Sequence, residues 1–292
     1  MNFMQQLTGT GVAIITPFKK NRSVDLTALG KLINFIIENG VNYIVTLGTT
    51  GETPVLSREE KIDIINFTYE QVHNRVPVIV GVGGNDTMAV INDLQLLPLN
   101  GAAAILSASP YYNKPSQEGL FQHYKIIAEA SSKPVILYNV PARTGRNMAS
   151  ATTLRLAEVN NIIGIKEASG DMQQCMEILR DRPTDFLVIS GDDALALPQM
   201  ACGMDGVISV AANSFPKQFS EMIHACSNGQ FKEAKIINDK LMAAYNLMFA
   251  ENNPAGVKAF LFELGLVENI MRLPIVPLSN DLHLEVRKYL NK

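Results

Sequence analysis

The sequence predicts an α/β fold, a (β/α)8 barrel with a C-terminal three-helix extension. Two observations predict it: eight short apolar runs recur along the chain, and most are followed by a segment of helical period. The runs are Val12 to Ile15, Tyr43 to Leu47, Val78 to Val80, Ala103 to Leu106, Val135 to Tyr138, Ile162 to Ile165, Phe186 to Ile189 and Val207 to Val210. Such short, nearly continuous apolar stretches are what a parallel strand covered on both faces leaves in a sequence. Leu26, Leu29, Ile33 and Ile36 keep helical spacing between the first two runs, and Ile62, Ile65, Tyr69 and Val72 between the next two. Ser57 with Glu60 reads as a capping box, Asp171 as a helix cap, and Asn39-Gly40 and Asn100-Gly101 as helix stops. A doubly wound sheet would usually have fewer strands. The barrel is expected to close near Cys226, giving a catalytic barrel over 1–226 and a helical extension over 227–292. In the extension, helices are expected at Gln230 to Ala250, Pro254 to Glu263 and Asp281 to Leu290, with Asn253-Pro254 as N-cap and first helical residue. This tail is taken as a packing or assembly element.

Composition narrows the function. A net charge of -3 with no lysine or arginine run gives no footing for nucleic acid or an anionic membrane, so small molecules are the expected partners. Cys175, Cys202 and Cys226 are odd in number and far apart, which argues against a disulfide framework or a structural zinc site. The start, Met1 to Gln6, has neither a basic region nor an apolar core, and no stretch approaches the roughly 18 to 20 apolar residues of a membrane span. A soluble, unprocessed, cytoplasmic protein is expected.

The chemistry-bearing residues fall where runs end. Ile162-Ile163-Gly164-Ile165-Lys166-Glu167 puts a lysine where a buried strand opens onto a loop, the end of the barrel at which α/β barrels keep their active sites. Alternation places Ile162, Gly164 and Lys166 on one face and Ile163 and Ile165 on the other, and Gly164 is expected to leave room beside the amine. An amine kept from water there holds more of its neutral form and can attack a carbonyl to form a Schiff base. The plainer alternative is a lysine that snorkels to solvent from a strand end. After the second run, Gly48-Thr49-Thr50-Gly51-Glu52 offers two hydroxyls and backbone N–H groups in a turn. Pro110-Tyr111-Tyr112-Asn113 follows the fourth run and Tyr138-Asn139-Val140-Pro141-Ala142-Arg143-Thr144-Gly145 closes the fifth. Tyr138 shares its inward parity with Ile136, and the planar fork of Arg143 suits a carboxylate, although a surface ion pair would explain it equally. Lysine and tyrosine on adjacent strand ends, with threonines and an arginine, favour an imine-forming enzyme.

Other features carry less. Gly81-Val82-Gly83-Gly84-Asn85-Asp86 has Asp86 where a dinucleotide fingerprint needs glycine, and reads as a tight turn. Asp192 and Asp193 read as helix-capping residues rather than metal ligands. His73, His123, His224 and His283 all fall in helical segments, so the ligands of a zinc-dependent barrel hydrolase are missing and no metal is assigned.

Gly48 to Glu52, Pro110 to Asn113, Tyr138 to Gly145, Ile163 to Ala168 and Gly191 to Asp193 together resemble the dihydrodipicolinate synthase family, and the resemblance runs over nearly the whole chain. Its superfamily also holds N-acetylneuraminate lyase and keto-deoxy sugar acid aldolases, which share the lysine and tyrosine. The arginine, here Arg143, chiefly marks the synthase. The resemblance implies a cofactor-free condensation of pyruvate with L-aspartate 4-semialdehyde in lysine and diaminopimelate biosynthesis, by a homotetramer built as a dimer of dimers. It makes Lys166 the imine-forming nucleophile and Tyr138 the proton donor and acceptor, relayed through Thr49 to Tyr112 of a neighbouring subunit. Thr50 would bind the pyruvate carboxylate, Arg143 would meet the second substrate's carboxylate, and the Ile208 carbonyl would border the lysine. Lysine-inhibited members bind their end product at an interface whose counterparts here are Thr53, Asn85 and Tyr111. Where sensitive members carry a glutamate this chain has Ala89, and where many carry a histidine it has Lys61, with Arg58 nearby. Besides the related aldolases, the alternative is a barrel that binds a keto acid without catalysis.

Overall fold

The computed structural model describes residues 3–291. Eight parallel strands close into a barrel in chain order: β1 (Gly9–Ala13), β2 (Tyr43–Thr46), β3 (Val78–Gly81), β4 (Ala104–Ala108), β5 (Val135–Asn139), β6 (Ile162–Glu167), β7 (Leu187–Ser190) and β8 (Gly206–Ser209), with β8 returning to β1. The helices between them are α1 (Leu26–Glu38), α2 (Arg58–Val72), α3 (Thr87–Leu96), α4 (Gln117–Ala130), the single turn α5 (Pro141–Thr144), α6 (Ser150–Ala157), α7 (Met172–Asp181), α8 (Ala196–Ala201) and α9 (Pro216–Ser227). Then follow α10 (Phe231–Phe249), α11 (Ala255–Glu263) and α12 (Asn280–Leu290), the helices expected of the extension. No helix among the described residues is long and apolar enough to cross a membrane.

The two faces of each strand explain the apolar runs. Tyr43, Val45, Ile79, Leu106, Ile136, Leu187, Ile189 and Ile208 fill the barrel, while Ile44, Val80, Ile105, Leu137, Ile165, Val188 and Val207 pack beneath the helices. Full burial of one such side chain is worth about 1.5–3 kcal/mol. Strand β1 begins at Gly9-Thr10-Gly11, ahead of the expected Val12, because the backbone of these residues pairs with Gly206 to Ile208, while Ile15, beyond the strand, gives its N–H to the side chain of Asn213.

Local boundaries follow the side-chain chemistry with three corrections. The Ser57–Glu60 box and the Asp171 cap are formed as expected, and Asn39 ends α1. Helix α3, however, stops at Leu96, because Pro98 disfavours helical backbone at Leu97, and Asn100-Gly101 instead closes a short 3-10 turn. Pro254 itself is the N-cap of α11 and Ala255 its first residue, so Asn253 lies outside the helix with its side chain elsewhere. Helix α8 has Leu195 as N-cap and no side-chain cap; Asp192 accepts from the N–H groups of Ala194 and Leu195 just ahead of it, and Asp193 reaches away to β8. The extension is fastened to the barrel by Phe215, Phe260 and Tyr289, whose rings meet edge to face at 5.5, 5.7 and 5.8 Å.

Candidate active site

Lys166 and Tyr138 are cross-strand partners in the register of β6 with β5. Both point into the barrel mouth, 4% and 8% exposed, and the Lys166 ammonium stands 4.5 Å from the centroid of the Tyr138 ring. This placement removes the snorkelling alternative. The route to it differs from simple alternation. The β5–β6 register shifts, with Val135 opposite Ile162 but Ile136 opposite Gly164. The extra residue turns Ile162 outward beside Ile165 and sends Ile163 toward the barrel interior, so Ile162 and Lys166 do not share a face as expected. Gly164 also has another reason: a Cβ there would lie 2.6 Å from the carbonyl oxygen of Leu187, so it permits close approach of β7. Room beside the amine comes instead from Gly191, where a Cβ would lie 2.9 Å from Cε of Lys166.

One residue further along the same strands, on the helix-facing side, Asn139 opposes Glu167. The Asn139 amide donates to both carboxylate oxygens, at 3.1 and 3.0 Å, and Ser169 N–H and the Gln174 amide donate to the same group at 2.7 and 3.1 Å. Burial pushes the Glu167 carboxyl above its ordinary range and these bonds pull against it. Asn139 also accepts from Met148 N–H, fixing the segment that follows Arg143. Sequence reasoning missed this pair; the only signal was two polar residues next to the candidate tyrosine and lysine.

At the end of β2, Thr49–Gly51 forms a 3-10 turn closed by Gly51 N–H to Gly48 carbonyl and Glu52 N–H to Thr49 carbonyl. Thr16 and Thr53 pin it by donating their hydroxyls to the carbonyls of Gly51 and Gly48. Thr50 is buried, its hydroxyl oxygen accepting from the Asn253 amide at 3.0 Å, and Thr49 is half-buried. Ile208 is buried inside the barrel, and the end of its strand is held by Asp193, whose carboxylate accepts from the Ser209 hydroxyl and the N–H groups of Val210 and Ala211. Burial pushes Asp193 up to about 6.

Lys166, Tyr138, Thr49, Thr50 and Ile208 thus gather on one barrel face, on or just after four strands, β2, β5, β6 and β8. Among the described residues the hydroxyls of Tyr138 and Thr49 make no hydrogen bond, so the expected relay to Tyr112 is not joined within one chain. Tyr112 is 88% exposed at φ 72, and Tyr111 is also exposed. Their loop is tied to the β3–α3 loop by Asn113, which donates to the Asn85 carbonyl at 2.8 Å. Arg143 lies in α5, exposed, its guanidinium without a partner among the described residues. Of the effector positions, Arg58 pairs with Asp93 at 3.7 Å, which offsets one of the two cations expected there. Ala89 gives its N–H to Asp86 in the first turn of α3, and Lys61 is half-buried.

A closed eight-stranded barrel with a buried lysine and tyrosine in register at its mouth defines a (β/α)8 barrel whose site can form an imine. The chain belongs to the dihydrodipicolinate synthetase family, whose model matches residues 6–292. It is 48% identical over 287 residues to 4-hydroxy-tetrahydrodipicolinate synthase of Parabacteroides distasonis, covering 98% of this chain and 97% of that one. Among solved structures it resembles dihydrodipicolinate synthase of Thermotoga maritima, with TM-score 0.95, 39% identity and 98% of each chain covered. The chloride-inhibited dihydrodipicolinate synthase of Acinetobacter baumannii, solved with pyruvate, also matches with TM-score 0.95, at 43% identity and 98% coverage of each chain.

Proposed function

We propose that this chain condenses pyruvate with L-aspartate 4-semialdehyde to 4-hydroxy-tetrahydrodipicolinate, a step of diaminopimelate and lysine biosynthesis, through an imine on Lys166. The observation that carries the proposal is the buried Lys166 amine in register with Tyr138 at the barrel mouth of a chain from this family. The amine attacks the pyruvate ketone and water leaves. The imine then loses a methyl proton, the enamine adds to the aldehyde of the second substrate, and that substrate's own amine attacks the imine carbon, closing the ring as the Lys166 amine leaves. Tyr138 moves protons above the imine; a phenol, ordinarily protonated at neutral pH, needs a hydrogen-bonded partner to cycle, and Thr49 and Tyr112 supply the path. Thr50 and the N–H groups of its turn bind the pyruvate carboxylate beside the Ile208 carbonyl. The barrel over 1–226 is the catalytic unit, and no cofactor takes part. Tyr112 acts from a neighbouring subunit of a homotetramer arranged as a dimer of dimers: an exposed aromatic ring on left-handed backbone fits a residue received by a second copy. The cytoplasm is the expected compartment. A coupled assay with pyruvate and aspartate semialdehyde tests the reaction. Turnover of N-acetylneuraminate or a keto-deoxy sugar acid in its place would assign the chain to a related aldolase, and binding of pyruvate without turnover of any of them would leave a keto-acid-binding barrel.

The exposed Arg143 guanidinium has no partner among the described residues and is free to grip a carboxylate. Arg143→Ala is expected to cost about 1.5–3 kcal/mol, the worth of hydrogen bonds to a charged group, read as a roughly 10- to 150-fold loss of kcat/KM for the semialdehyde. A loss confined to pyruvate would show the arginine misplaced.

L-Lysine is expected to leave the initial rate nearly unchanged at millimolar concentration. Four acids near the effector positions are already engaged: Asp93 by Arg58, Glu60 by Arg272, Glu52 by Lys258, and Asp86 by the N-terminal turn of α3. Ala89 supplies no carboxylate for the two ammonium groups, and Lys61 adds a like charge; at about 4 Å and an effective dielectric near 20, like charges repel by about 4 kcal/mol before salt screening. Half-inhibition below about 1 mM, equivalent to roughly 4 kcal/mol of binding, would contradict this.

A further inference from the structure

The threonine turn at the end of β2 is held by residues more than two hundred positions further along the chain. Glu52, which ends the turn with its backbone in the left-handed region at φ 54, sends its side chain into the extension. There one carboxylate oxygen accepts from the Lys258 ammonium and the other from the N–H of Arg272 at 3.0 Å. Both members of the ion pair are wholly buried. Lys258 also donates to the Ile270 carbonyl at 3.0 Å and stands 4.3 Å from the centroid of the Phe18 ring, which the Arg272 guanidinium approaches at 4.6 Å. Burial holds the Lys258 ammonium below its usual range while the Glu52 carboxylate pulls it back. Two residues before Glu52, Thr50 takes its hydrogen bond from Asn253, so the hydroxyl's own hydrogen is left to point elsewhere.

A buried ion pair is a poor device for stability, since desolvating both charges costs several kcal/mol per ion and apolar replacements often do as well. What it supplies is direction. A carboxylate that accepts from two fixed donors sets where Glu52 sits, and with it the three residues of turn that precede it.

We infer that Lys258 and Asn253 are positioning residues for the reaction: through Glu52 and Thr50 they place the turn and its hydroxyl to receive the carboxylate of the first keto-acid substrate. This rests on the reading of Thr50 and Lys166 as the pyruvate site. A merely structural role would lower stability without changing one substrate's KM selectively.

The test uses the full-length enzyme in three variants: Lys258→Met; Lys258→Met with Glu52→Gln, which avoids an uncompensated buried carboxylate; and Asn253→Ala, which leaves the ion pair intact. Thermal melts establish which of them fold, and steady-state kinetics with each substrate varied give the constants. In every folded variant KM for pyruvate is expected to rise about tenfold or more, with kcat and KM for the semialdehyde changed less than about threefold. A folded variant with unaltered pyruvate KM, or one that loses only kcat, overturns the inference. Should both Lys258 variants fail to fold, Asn253→Ala decides by the same criterion. Failure of the underlying reading is separately visible, because borohydride with pyruvate would then leave no adduct on Lys166 of the unsubstituted enzyme.

Discussion

Lys166→Met is expected to lower kcat/KM by on the order of 10⁴-fold or more, the scale on which enzymes lose activity when a covalent nucleophile is removed. No other group at the barrel mouth can replace it: the hydroxyls of Tyr138, Thr49 and Thr50 cannot form an imine with a ketone. The protein should still fold. Among the described residues the Lys166 ammonium has no hydrogen-bond partner, only the face of the Tyr138 ring, so methionine fills similar space and orphans nothing. Melting temperature and rate measured on the same preparation check this. A variant that keeps more than about a hundredth of the activity would exclude the covalent route.

Tyr138→Phe is expected to lower turnover by about 10²- to 10⁴-fold, the usual worth of a positioned acid–base group. The substitution deletes one hydroxyl that makes no hydrogen bond among the described residues, and the ring keeps its place beside Lys166 in the cluster that holds Ile136. Imine formation with pyruvate, which begins with attack by the amine, should remain detectable while later proton transfers stall. Near-normal turnover would remove Tyr138 from the proton path.

The barrel was legible because its signal is local. A strand covered on both faces must be apolar at nearly every position, and caps such as Ser57 and Asp171 act within three residues of themselves. The features that escaped depend on partners far along the chain. Gly9-Thr10-Gly11, with two glycines, has a weak strand signal of its own and becomes a strand because β8 and β2 lie beside it. The irregularity that turns Ile162 outward belongs to the fit between β5 and β6; Gly164 is its one mark in the sequence, and it does not say which neighbour is turned. Asp193 reads as a helix cap because its sequence neighbours are helical, yet its bonds go to Ser209 at the end of β8 and to Val210 and Ala211 just beyond it. Lys258, among apolar residues in α11, would pass for a lysine reaching solvent; its burial is set by Glu52. The lysine, tyrosine and threonines could be picked out because strand ends in a barrel converge on one face. Their supports, Asn139, Glu167, Asn253 and Gly191, could not, since each acts through a contact that exists only in the folded chain.

The central claim is covalent chemistry at one lysine, and it is met most directly by reducing the enzyme with borohydride in the presence of pyruvate, digesting it and weighing the peptides. The expected result is a reduced pyruvate adduct on the peptide that contains Lys166, formed only when pyruvate is present and accompanied by loss of activity. An adduct on another lysine, Lys258 included, or no adduct while activity survives, would contradict it.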